Sequence, residues 1–177
     1  MRKLIKPVYP HPFETAVASG EVEQFHESQR LNDDCIRAID ASIHDNNYEL
    51  YRYDLAAAVQ TVTDEFGYER ADWVMAGLIR QHHYDGRYNQ RNKDWAREFD
   101  VPASESRLFV FGTHPCVLDG FADSLREAHE QQLALSEPEE VQIEQPIETE
   151  DFEAVLEELY QPQDYDDGPE EGPTLSL

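Results

Sequence analysis

The chain has 177 residues, with 38 acidic and 14 basic side chains and a formal net charge of -24 at pH 7. That length suits one domain with an appendage better than two full domains, and about 130 residues are enough to bury roughly two-thirds of the unfolded surface. The charge argues against free-standing affinity for phosphate backbones or anionic lipid, no run approaches the ~20 apolar residues that span a bilayer, and the opening Met1-Arg2-Lys3-Leu4-Ile5-Lys6-Pro7 lacks the apolar core of a secretory leader.

Val8-Tyr9-Pro10-His11-Pro12 reads as extended, because proline disfavours helix in the residue before it. Phe13 to Ser19 then makes two helical turns, stopped by Gly20. A long helix follows from about Glu21 to Asp45, with Val22, Phe25, Leu31, Cys35, Ile36, Ile39 and Ile43 at helical spacing and Asn46-Asn47 ending it. Asp54 caps a helix running to Phe66, closed by Gly67. The next covers about Glu69 to Gln81 and buries Trp73, Val74, Leu78 and Ile79. Tyr84-Asp85-Gly86-Arg87-Tyr88 is expected to turn through a left-handed Asp-Gly pair. A helix of about Asn89 to Phe99 shows Trp95, Ala96 and Phe99 inward. Leu108-Phe109-Val110-Phe111 is either a strand or a buried extended run; a strand would pair with the N-terminal strip or with Tyr48 to Tyr53. His114-Pro115 leads into a last helix, about Val117 to Leu133.

The spacing therefore predicts a mainly α body over 8–135, about five to six helices with at most a small β pairing, and a tail over 136–177. From Ser136 to Leu177 there are 15 acids and no Lys or Arg, which leaves 23 acids against all 14 bases before it. With Pro138, Pro146, Pro162, Pro169 and Pro173 also present, the tail is expected to be mostly disordered. Near 150–160, Phe152, Val155, Leu156 and Leu159 make an apolar stripe at i, i+3, i+4, i+7. Such a helix either docks on its own body or folds on a partner, through Phe152 and Leu156 with Glu157 and Glu158 beside them.

Nothing stands at catalytic spacing: there is no phosphate-binding glycine loop, no GxSxG and no HExxH. A non-enzymatic protein without cofactor is expected. Cys35 and Cys116 have no CxxC partner, so both read as small apolar side chains of a reduced, cytoplasmic protein. Adjacent His82-His83 point in different directions, which disfavours a metal site and suits capping of a helix C-terminus.

The Arg80 to Arg97 stretch is the most informative. It interleaves Arg80, Arg87, Arg91, Lys93 and Arg97 with Tyr84, Tyr88 and Trp95. Guanidinium forks grip phosphate or carboxylate, and aromatic faces stack on bases. The plainer reading pairs the arginines with the chain's own acids, such as Glu69, Asp72, Asp94 and Glu98, and places Trp95 and one tyrosine in the core. The acidic tail has two readings as well: a solvated run that aids solubility, or a mimic of nucleic-acid phosphates.

Glu23, Ser28, Asn32, Cys35 and Ala38-Ile39, then Phe66-Gly67-x-Glu69-Arg70, then Asp85-Gly86-Arg87-Tyr88 with Asn92-Lys93-x-Trp95-Ala96, and finally Thr113-His114-Pro115, carry a likeness. Over about Tyr9 to Leu133 the chain resembles an uncharacterised, DUF3849-like domain family of bacterial mobile elements. The family has no assigned catalytic residues. Some similar proteins act as anti-CRISPR inhibitors, so the resemblance implies an inhibitor that binds a type II RNA-guided CRISPR nuclease with its guide RNA and blocks its use of DNA. The alternative is an accessory module of a conjugative element or phage, touching nucleic acid or a partner through Tyr84, Arg87, Tyr88, Arg91 and Lys93. Neither reading needs a membrane.

Overall fold

In the computed structural model, residues 4–136 are described. They form α1 (Phe13–Ser19), α2 (Val22–Asp45), a hairpin of β1 (Asn47–Glu49) and β2 (Arg52–Tyr53), then α3 (Leu55–Phe66), α4 (Tyr68–Gln81), α5 (Gln90–Ala96), α6 (Ala103–Ser106) and α7 (Pro115–Ser136). The mainly α expectation holds, and the helices fall where the apolar spacing places them. The short α6 is the one the sequence reading does not contain, so the described residues hold seven helices. No helix among the described residues is long and apolar enough to cross a membrane. The acidic run beyond Ser136 and the Phe152–Leu159 stripe lie outside the described residues.

The α4 helix is the axis of the core. From Arg70 to Ile79 each of its residues is buried, as expected of a helix packed on all sides. Its neighbours are α2, α3, α5, α6 and α7. Gly67 joins α3 to α4 at φ +80° and ψ 162°, a region that only glycine occupies without strain. At Gly77 the backbone lies directly under the Phe109 ring: an added Cβ would stand 2.5 Å from Phe109 Cε2.

That ring explains why Leu108–Phe111 is not a strand. Phe109 is buried while Leu108 and Val110 face solvent, and the Phe109 N–H donates back to Ser106 O at 3.1 Å. The run is an extended wedge held by packing on α4, with no strand partner among the described residues. The Tyr48–Tyr53 stretch instead folds on itself, β1 pairing antiparallel with β2. The turn of that hairpin sets Tyr51 at φ 62°, and Tyr48, Leu50 and Tyr51 are all exposed. Two further expectations fail. Gly86 is absent from the left-handed backbone, where the glycines are Gly20 and Gly67; the Asp85 side chain makes this turn by accepting from Arg87 N at 2.9 Å. Cys116 is exposed rather than core, whereas Cys35 is buried and burial pushes its thiol up to about 12.

Three polar ties hold the packing. Arg70, 1 % exposed, donates from Nη1 to Ser28 O (3.1 Å), Ser28 Oγ (3.3 Å) and Asn32 Oδ1 (2.5 Å), and from Nη2 to Lys6 O (3.2 Å) and Pro7 O (2.8 Å). The guanidinium thus fixes the N-terminal strip through neutral acceptors. Asp72, buried in α4, meets His129 Nδ1 of α7 at 2.7 Å; burial raises its carboxyl to about 6, although the imidazole opposes the shift. Asp40 of α2 accepts from Gly112 N (2.7 Å), Thr113 N (3.0 Å) and Thr113 Oγ1 (2.6 Å), tying down the loop that precedes α7.

Candidate functional site

The Arg80–Arg97 segment links the end of α4 to α5. His82 is the C-cap of α4, and His83 Nδ1 lies 3.2 Å from Arg80 O, the capping role that adjacent histidines suggest. Among the described residues no group of three or more His, Cys, Asp or Glu gathers into a metal site. The turn is locked by one pair: Arg87 Nε lies 2.9 Å from Asp85 Oδ1 and Arg87 Nη2 lies 2.7 Å from Asp85 Oδ2. These bonds, with the one from Arg87 N, hold the Asp85 carboxyl down at about 2. Tyr88 is buried in the core, which pushes its phenol up to about 12.

The α5 helix starts on Asn89, whose side chain accepts from Asn92 N at 2.8 Å. Asp119 of α7 accepts from Asn89 N (2.9 Å) and from Asn92 Nδ2 (2.8 Å). Arg126 donates to Asn92 Oδ1 at 2.9 Å and pairs with Asp123 at 2.8 Å. Further along, Arg97 pairs with Asp94 at 2.8 Å, and Trp95 meets Phe99 edge-on at 5.1 Å.

The proposed basic and aromatic patch is therefore divided. Arg87 and Arg97 are paired with the chain's own acids: Arg97 with Asp94, one of the acids expected, and Arg87 with Asp85, which is not among them. Tyr88 faces inward, which removes it from any exposed stacking surface. Tyr84 is 75 % exposed beside His82 and His83. Arg91 is exposed and Lys93 half-buried, and neither side chain has a hydrogen bond or ion pair to another described residue. Phe152, Leu156, Glu157 and Glu158 lie outside the described residues.

What sequence reasoning missed is the other wall. Asp85, Arg87 and Tyr88 line a cleft of about 350 Å3 with Arg107, Phe109, Phe111 and Thr113. Thus the Asp-Gly-Arg-Tyr and Thr-His-Pro segments, 25 or so residues apart, meet at one place. The signal was present in Leu108–Phe111, whose alternation put Phe109 and Phe111 on one side. The other residues that carry the resemblance have structural work: Ser28, Asn32 and Arg70 share one network, and Asn92 another.

A family model for a protein of unknown function (DUF3849) matches residues 8–130. The chain belongs to the DUF3849 family. No curated protein and no solved structure matches it. The family span ends within α7 and so coincides with the helical body, from the strip held by Arg70 to the helix that carries Asp119, Asp123 and Arg126.

Proposed function

We propose that this DUF3849 protein is a non-enzymatic inhibitor that binds a nucleic-acid-processing enzyme, a type II RNA-guided CRISPR nuclease, and competes for its polynucleotide channel. The observation that carries the reading is the charge: 38 acids stand against 14 bases, and Arg87 and Arg97, within the one basic stretch, are neutralised internally. A surface of this sign is drawn to a cationic groove and repelled by nucleic acid itself. The test is co-purification with the guide-loaded nuclease, followed by DNA cleavage with the full-length chain in excess. Inhibition that fades as salt rises supports the reading, because ion-pair attraction between the partners is screened; undiminished cleavage rejects it.

Arg91 and Lys93, whose side chains have no partner among the described residues, favour a second reading as an accessory module that touches single-stranded nucleic acid. A mobility shift by the full-length chain at low salt, abolished in an Arg91→Gln/Lys93→Gln variant, supports it. Absence of any shift rejects it.

A further inference from the structure

Next to the cleft of Arg87 and Phe109 lies a second one, of about 320 Å3, lined by Arg80, Gln81, Val101, Ala103, Ser106 and Arg107. The two adjoin, with Gln81 and Arg107 lining both. Arg80 and Arg107 have no ion pair among the described residues, although the chain carries 38 acids. Arg80 Nη1 is buried without any acceptor, and so is Gln81 Oε1 without a donor. Arg107 spends only its Nε, on Ala103 O at 3.2 Å. The single acid on either wall, Asp85, is already bound to Arg87.

We infer that the Arg80–Arg107 cleft binds the phosphate group of a phosphate monoester, whose apolar or aromatic body lies in the adjoining cleft on Phe109 and Phe111. A buried guanidinium nitrogen without an acceptor is costly, and an oxyanion in the cleft that both arginines line supplies an acceptor that the described residues do not. The charge count selects the ligand. Two cations without an acid among the described residues match a phosphate monoester, which carries about two negative charges at neutral pH, and leave a single carboxylate one charge short. The size fits as well: each cleft is of the volume, from about 300 Å3 upward, that takes small ligands. The acidic remainder of the surface disfavours a polynucleotide here and tolerates a small ligand whose charge is confined to one end. This site is independent of the inhibitor reading, since no partner enzyme is needed to fill it.

The test is an amide NMR titration of the full-length chain at low salt, near pH 7.5, with phenyl phosphate, inorganic phosphate and benzoate as probes. Phenyl phosphate is expected to give saturable shifts at Gln81, Ser106 and Arg107 and to bind more tightly than either other probe. Arg80→Gln and Arg107→Gln are each expected to weaken it about tenfold or more, the scale of a lost charge-assisted hydrogen bond. Arg107 is exposed, so its variant keeps the fold even where the Arg80 variant does not. Arg30→Gln, on the exposed face of α2, is expected to leave binding unchanged. The inference is overturned by shifts that do not saturate, by benzoate binding as well as phenyl phosphate, by inorganic phosphate matching phenyl phosphate, or by Arg30→Gln weakening the interaction as much as Arg107→Gln.

Discussion

Replacing Glu105 with glutamine should make the fold more stable at pH 8 and leave it nearly unchanged at pH 5. Glu105 sits on the four-residue α6, 2 % exposed, and neither carboxyl oxygen has a hydrogen-bond partner of ordinary geometry. Burial raises its carboxyl from 4.5 to about 7; Gln29 stands near enough to oppose the shift without completing a bond. The folded state therefore holds the proton more tightly than the unfolded one. Stability is greatest where both states are protonated, near and below pH 4.5, falls as pH rises through the interval up to about 7, and levels off above it. At about 1.4 kcal/mol per unit of pKa, the full loss is about 3 kcal/mol, most of which falls between pH 5 and pH 8. A neutral amide of the same shape escapes that loss. Urea unfolding of both proteins at pH 5, 6, 7 and 8 reads the difference directly, because every other titrating group, including Asp72, cancels between them. The difference should grow by about 2 to 3 kcal/mol across the range. Two parallel profiles would refute the reasoning, since the carboxyl would then ionise as freely in the fold as out of it.

Gly77→Ala is expected to cost about 2 kcal/mol, because a methyl group 2.5 Å from Phe109 Cε2 must displace the ring or the helix; thermal unfolding measures it. Arg70→Met should cost about 3 kcal/mol or more by leaving Ser28, Asn32, Lys6 and Pro7 without their donor. In that variant, hydrogen exchange at Val8 and Tyr9 should speed up ahead of exchange in α4. Tyr51→Gly should raise stability by about 0.5 kcal/mol, because the residue sits at φ 62° with an exposed side chain; unchanged or lower stability in urea would show that the ring is held by packing instead.

Six of the seven helices were legible because their apolar residues repeat at helical spacing and because Gly20, Asp54 and Gly67 mark their ends. Propensity and periodicity act within a few turns, so they carry such elements well. The four residues of α6 offer no period to read, and its place depends on packing against α4. Leu108–Phe111 looked strand-like because alternation signals one buried face; whether that face meets a sheet or a helix is a tertiary matter, here settled by the missing side chain of Gly77. The site was half legible for the same reason. Composition drew the eye to Arg87, Arg91 and Lys93, yet Arg87 is engaged by an acid two residues away. Arg107, outside the basic stretch, stands across the cleft, and no local pattern announces which arginine is left without an acid among the described residues.

The Asp40 clasp on Gly112 and Thr113 reaches across more than seventy positions of the chain. It means that the mouth in which Phe111 and Thr113 stand is shaped from behind, by a carboxylate that lines neither of the adjoining clefts. A substitution at that remote helical position would slacken the mouth and change its shape, while every lining side chain kept its identity. A change in the shape of this cleft can therefore originate in α2, out of sight of any survey confined to its walls.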